Sequence, residues 1–79
     1  MNEQNKKPQK KELPYSCTKG ELIAMYVDQI PERTIVDNIN LILKANNVRI
    51  YVKRIPHNQF MEFVETYGLP KNYYLTDND

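Results

Sequence analysis

A single cysteine in a chain of 79 residues excludes several classes of protein at once. Cys17 has no second cysteine for an intramolecular disulfide or a multi-cysteine zinc site. Together with the one histidine, His57, it supplies too few ligands for a tetrahedral zinc site within one chain. Without a disulfide framework, a reducing cytoplasm is the expected compartment.

Glycine is almost as rare, since only Gly20 and Gly68 are present. The chain has no G-x-G-x-x-G sequence, no phosphate-binding P-loop and no H-E-x-x-H zinc motif. We therefore expect no enzymatic activity, no cofactor, no metal and no small-molecule substrate. A nucleophile–base pair formed by Cys17 and His57 is the alternative, although a free cysteine beside a helix start is more often a small buried apolar residue.

Long apolar segments are also missing. No run approaches the ~20 apolar residues of a membrane-spanning helix. The N-terminus is polar and rich in lysine, without the apolar segment of a secretory signal. We expect no association with a membrane.

Positive charge is unevenly distributed along the chain. Residues 1–12 carry four lysines and two acids, whereas residues 13–79 carry seven cations and eight acids. The sequence predicts a disordered Lys-rich arm over 1–12, a single small globular domain over 13–75 and an acidic fraying tail over 76–79. The arm is either a solubilising tail or a nucleic-acid-binding arm.

Three helices are predicted by their termini and their apolar periodicity. Thr18 and Glu21 fit a capping box that starts a first helix, which should end near Pro31. Pro31 is favourable in the first turn of a second helix, and the Asn pair at 46–47 is a plausible stop. A third helix should run from Pro56 to Gly68, a residue suited to the position after a helix C-terminus. Apolar stripes support all three helices: Leu22, Ile23, Tyr26, Val27 and Ile30; Ile35, Val36, Ile39, Ile42 and Leu43; Phe60, Phe63, Val64 and Tyr67.

Between the second and third helices, residues 48–55 alternate in a pattern typical of a β-strand. Val48, Ile50 and Val52 fall on one side, and Arg49, Tyr51 and Lys53 fall on the other. The segment 46–59 contains three cations and no acid. A lone strand is unstable in water, so we expect it to pair with 73–75, with the segment around 13–16, or with another chain. The charged face is either a solvated surface or a nucleic-acid-binding surface.

Two segments resemble the small excisionases and related MerR-like winged helix-turn-helix proteins. The run IPERTIVDNI (30–39) resembles the start of a recognition helix, and VRIYVKRIPHNQFMEFVE (48–65) resembles a wing and the helix that supports it. The resemblance covers roughly residues 15–67. It implies an α+β, mostly helical fold in which a compact helix-turn-helix is followed by a basic strand, the wing, and a C-terminal helix.

The resemblance also implies a function and a set of contact residues. The protein would be a small, non-enzymatic DNA-binding protein that acts in transcription regulation or as a recombination accessory of a mobile element. Asn and Arg side chains read base edges, and Arg and Lys neutralise phosphates. The implied contacts are Arg33, Thr34, Asn38 and Asn40 near the major groove, and Arg49, Lys53 and Arg54 on the backbone or in the minor groove. For the second helix, plain packing against the core is the alternative to DNA recognition.

A different class of function is a protein-interaction module or an inhibitor of a partner protein. It would use an exposed strand at 48–55 together with Tyr73 and Tyr74, and self-association through the same strand is the other option. Stoichiometric capture of one protein partner in the presence of nuclease would distinguish this function from DNA binding.

Overall fold

Three helices and two very short strands form the described part of the chain, residues 11–75 of a computed structural model. The order is β1 (Lys11–Glu12), α1 (Lys19–Tyr26), α2 (Glu32–Ala45), α3 (His57–Tyr67) and β2 (Tyr73–Tyr74). This is a mostly helical α+β arrangement, as the sequence predicts. No helix within residues 11–75 is long and apolar enough to cross a membrane.

Helix α1 begins at the predicted capping box. The Thr18 hydroxyl accepts a hydrogen bond from the Glu21 amide at 3.1 Å, and the Glu21 carboxylate accepts one from the Thr18 amide at 2.8 Å. The helix ends at Tyr26, earlier than predicted, and a turn leads to Pro31. Val27 consequently leaves the apolar stripe and is exposed.

Helix α2 follows Pro31, which occupies the position before its first residue and makes no side-chain capping bond. Its buried residues are Ile35, Ile39 and Leu43, four apart along one face. The helix ends at the predicted asparagine pair, where Asn47 has a φ of 62°. Asparagine tolerates this left-handed conformation better than most residues, which explains the stop.

Helix α3 runs from His57 to Tyr67 and ends at Gly68, as predicted. Gly68 has φ 86° and ψ 172°, a backbone region that only glycine enters without strain. The Tyr26 hydroxyl donates a hydrogen bond to the Gly68 carbonyl at 2.5 Å, which holds the end of α3 against α1.

The core lies where α2 packs against α1 and α3. Tyr26 and Phe63 meet edge to face with centroids 5.1 Å apart, a favourable geometry for aromatic rings. The buried apolar residues come from all three helices and from the segments before α1 and α3: Leu13, Cys17, Leu22, Tyr26, Ile35, Ile39, Leu43, Ile55, Phe60, Phe63 and Val64.

The strand predicted over 48–55 is wrong. Residues 48–54 form an irregular loop with a turn at Ile50 and Tyr51, and Ile55 alone makes an isolated antiparallel bridge to Cys17. The alternation nevertheless matches burial, because Val48, Ile50 and Val52 are half-buried while their neighbours are exposed. Alternating burial does not make a strand without a partner that supplies a hydrogen-bonded ladder.

The C-terminal tyrosines pair with a different segment from the one expected. β2 lies parallel to β1, with Lys11 opposite Tyr73 and Glu12 opposite Tyr74. Lys11 and Glu12, assigned to the arm by sequence, therefore belong to the folded part. The rest of the predicted arm, 1–10, and the predicted tail, 76–79, lie outside the described residues.

Candidate nucleic-acid interface

The basic loop, defined as residues 46–54, connects α2 to the bridge at Ile55 and makes a tight turn at its tip. The Val52 amide donates to the Arg49 carbonyl at 3.2 Å, which closes a β-turn with Ile50 and Tyr51 at its centre. At the start of the loop, the Val48 amide donates to the Leu43 carbonyl at 2.8 Å. The loop backbone is thus held both at its base and at its tip.

Lys19, in the first turn of α1, joins the loop to α2. Its ammonium group donates to the side-chain oxygen of Asn40 at 2.6 Å and also to the backbone carbonyl of Ile50. These bonds bring the tip of the loop against the outward-facing side of α2. The groove between them has a volume of about 410 Å³ and is lined by Asp37, Asn40, Leu41, Lys44 and Ile50.

The predicted contact residues of α2 are largely engaged within the protein. Arg33 is exposed and lies 3.8 Å from the carboxylate of Asp37, one helical turn away. The Asn38 side chain donates to the carbonyl of Thr34 at 2.8 Å, and Thr34 is half-buried. Asn40 accepts the hydrogen bond from Lys19. Of this set, only Arg33 points a charged group into solvent.

The predicted contact residues of the loop separate into two groups. Arg49 and Lys53 are exposed, and within residues 11–75 their side chains make no hydrogen bond or ion pair. Arg54 lies against the segment before α1, where it donates to the Ser16 hydroxyl at 3.3 Å and to the Ser16 carbonyl at 3.2 Å. It also lies 3.8 Å from the Glu21 carboxylate. Arg54 therefore anchors the end of the loop.

Lys44 on α2 is a further exposed cation beside the loop, and it was absent from the predicted set. It lines the groove with Ile50, the neighbour of Arg49. We call Lys44, Arg49 and Lys53 the basic patch. Its sequence signal is the spacing of Lys44 from the buried Ile35, Ile39 and Leu43, which places it on the opposite side of α2.

Two exposed apolar side chains accompany the basic patch. Tyr51, at the tip of the turn, is 86 % exposed, and Leu41 on α2 is 62 % exposed. The prediction placed Tyr51 on the charged face of a strand but did not include it among the contact residues. The sequence signal was its position midway between Arg49 and Lys53.

A second groove runs along α1. Two adjoining cavities, of about 230 and 310 Å³, share Ala24, Met25 and Tyr73 as lining residues. Cations and acids both line them: Lys11, Lys71 and Arg54 with Glu21 and Asp28. Both grooves are thus lined by charges of both signs, whereas the basic loop itself, residues 46–54, contains cations and no acid.

Cys17 and His57 have separate structural roles. Cys17 is fully buried, and burial together with the nearby Glu21 carboxylate raises the pKa of its thiol to about 12, against a smaller opposing effect of Arg54. A thiol with so high a pKa is a poor nucleophile at neutral pH. The His57 ring stacks on Tyr15, with centroids 3.8 Å apart, and its Nδ1 donates to the Tyr15 carbonyl at 2.7 Å. Among residues 11–75, no group of three or more His, Cys, Asp or Glu side chains is arranged to hold a metal ion.

No protein-family model matches this chain, and comparison with curated proteins and with solved structures finds no match either.

Proposed function

We propose that this protein binds DNA through the basic loop and the outward face of α2, as a small non-enzymatic regulatory or recombination-accessory protein of the cytoplasm. The observation that carries the proposal is the pair of hydrogen bonds from Lys19 to Asn40 and to the Ile50 carbonyl, because these bonds hold the basic loop alongside α2. Lys44 lines the groove with Ile50, the neighbour of Arg49 in the loop, and this supports treating Lys44, Arg49 and Lys53 as one binding surface.

In this proposal α1 and α2 form a helix-turn-helix, and the basic loop takes the role of the wing. Lys44, Arg49 and Lys53 neutralise phosphates and release counterions. Arg33 and Thr34, in the first turn of α2, contact the base edges and so recognise the DNA sequence. Asn38 and Asn40 would have to give up internal hydrogen bonds before they could read a base edge, so they position the surface instead.

Acids on α2 limit the strength of this interaction. Glu32 and Asp37 are exposed on the helix and repel phosphate. The basic loop therefore supplies most of the attraction. Three phosphate contacts correspond to a slope of about −2.7 in log K against log salt, or roughly a 40-fold loss of affinity between 50 and 200 mM salt.

The test is fluorescence anisotropy with a labelled 20-base-pair duplex over this range of salt. We expect Lys53→Ala to weaken binding about uniformly across sequences and to reduce the slope by about 0.9. Lys71→Ala is the matched control, since Lys71 is an exposed cation that lines the other groove. Absence of binding at 50 mM salt, or equal effects of the two substitutions, would contradict the proposal.

The exposed Leu41 and Tyr51 favour a second function, a protein-interaction module. Exposed apolar side chains ringed by charges are typical of the centre and rim of a protein interface. This module would use the face around Leu41, Ile50 and Tyr51, because residues 48–54 offer no strand for addition to a sheet. Nuclease-resistant capture of one stoichiometric protein, lost with Leu41→Ala, would favour it over DNA binding.

A further inference from the structure

Tyr51 is held on a fixed turn and presented to solvent. It occupies a central position of the β-turn closed by Arg49 and Val52, and the ammonium of Lys19 binds the carbonyl of the preceding residue, Ile50. The Tyr51 side chain is 86 % exposed. Within residues 11–75 it has no aromatic partner, whereas Tyr15 stacks on His57 and Tyr26 contacts Phe63.

The sequence on both sides of this ring is cationic. Arg49 and Lys53, two residues before and two residues after Tyr51, are exposed, and residues 46–61 contain no acid. An aromatic ring supplies a face for stacking, and the adjacent cations attract a polyanion. Nucleic acid is the ligand class that combines negative charge at each repeat with flat π-faces.

Base faces are accessible only where pairing and stacking are interrupted. In an intact duplex each base stacks on its neighbours, and opening a step costs a few kcal/mol. At a bulge, gap or frayed end the base is already unpaired, so this cost does not have to be met on binding. An exposed aromatic side chain with cations close by in the sequence therefore gains most binding free energy from DNA that contains unpaired bases.

We propose that Tyr51 stacks on an unpaired base, so that the basic loop selects DNA with a bulge, gap or single-stranded segment over fully paired duplex. The inference rests on the proposed DNA-binding function and names the class of DNA that this surface prefers. Arg49 and Lys53 hold the flanking phosphates, and the hydrogen-bonded turn fixes the backbone at Tyr51, which lowers the backbone entropy lost on binding.

The experiment compares two labelled duplexes of the same sequence, one fully paired and one with a central bulge of two thymines. Wild-type protein should bind the bulged duplex more tightly. Tyr51→Ala should lower affinity for the bulged duplex by about 5- to 150-fold, the range measured for one stacked base. It should change affinity for the paired duplex less than about twofold. Tyr51→Phe is the matched control, because it keeps the ring and should keep the preference.

The outcomes separate the two proposals. Binding to both duplexes without preference, or equal losses on both with Tyr51→Ala, would overturn base stacking and leave DNA binding in place. Failure of wild-type protein to bind either duplex would overturn both. Unchanged DNA affinities with Tyr51→Ala, together with loss of a stoichiometric protein partner, would assign Tyr51 to a protein interface and overturn the inference. Because Tyr51 is almost fully exposed, circular dichroism of each variant should match that of the wild type.

Discussion

Lys19 is the side chain that joins the tip of the basic loop to α2, so its removal tests the structural basis of the proposed site. Lys19→Met keeps the aliphatic stem and removes the ammonium group. The Asn40 side-chain oxygen and the Ile50 carbonyl would then both lose their donor. No other residue links the tip of the loop to α2 by a side-chain hydrogen bond within residues 11–75.

The size of the effect follows from opposing contributions. A hydrogen bond to a charged group contributes about 1.5–3 kcal/mol to stability when it is buried. Here the side chain is only half-buried, and both acceptors can bind water after the substitution, so the two bonds together contribute about 1.5–2 kcal/mol. Against this, Lys19 lies in the first turn of α1, where removing a positive charge recovers about 0.3–1 kcal/mol from the helix dipole. The net expected loss is about 1 kcal/mol, equivalent to a fall in Tm of roughly 4–8 °C for a domain of this size.

The assay is urea unfolding at pH 7, followed by far-ultraviolet circular dichroism. Lys53→Met is the matched control, since it removes a lysine charge from an exposed position without an internal partner, and should stay within about 0.5 kcal/mol of the wild type. A double-mutant cycle with Asn40→Ala should give a coupling free energy of about 0.5–1.5 kcal/mol. Equal stabilities of the Lys19→Met and Lys53→Met variants, together with no coupling to Asn40, would refute the stabilising role of the Lys19 hydrogen bonds.

Alkaline pH and the two glycines provide further tests. Burial raises the pKa of Cys17 from about 9 to about 12, and burial together with the neighbouring Cys17 raises that of Tyr26 from about 10 to about 12. Their contribution to stability is therefore complete below pH 9 and is lost as the pH rises from 9 to 12. Cys17 alone should account for a loss of roughly 3 kcal/mol at pH 11. Urea unfolding at pH 8 and 11 measures this loss, and an equal loss in Cys17→Ala would contradict this account. Gly68→Ala should destabilise by about 1–3 kcal/mol because of its backbone angles, although a Cβ there meets no neighbour. Gly20 lies inside α1, and a Cβ there would be 3.9 Å from its nearest neighbour, so Gly20→Ala should instead stabilise the protein by about 0.5 kcal/mol. If both glycine substitutions shift Tm in the same direction in thermal unfolding, backbone geometry does not decide the difference.

The helix termini were predictable because their determinants are local. The capping box of Thr18 and Glu21 joins residues three apart, and Pro31, Asn47 and Gly68 act through their own backbone conformations. Each signal needs only a few neighbouring residues and does not depend on the rest of the fold. The end of α1 was predicted wrongly near Pro31. The helix ends at Tyr26, which lies between the capping box and Pro31 and carries no such local signal.

The candidate site was predictable only in part. Arg49 and Lys53 were correctly expected on the exposed face of their segment, because alternation in the sequence follows alternation in burial. Arg54 stays a predicted nucleic-acid contact, and the sequence did not predict its hydrogen bond to Ser16, 38 residues earlier. The hydrogen bonds of Lys19 to Asn40 and Ile50 span 21 and 31 residues and have no local signature.

Residues 46–54 show most clearly what each level of structure determines. By itself, the sequence determined that this segment is basic, contains no acid, and alternates between apolar side chains and exposed Arg49, Tyr51 and Lys53. Only the tertiary structure decided that it is a loop and not a strand, since a strand requires a partner, and β2 pairs with β1 instead. Long-range hydrogen bonds from Lys19 and Arg54 then set the position of the loop, because those contacts exist only after the helices have packed.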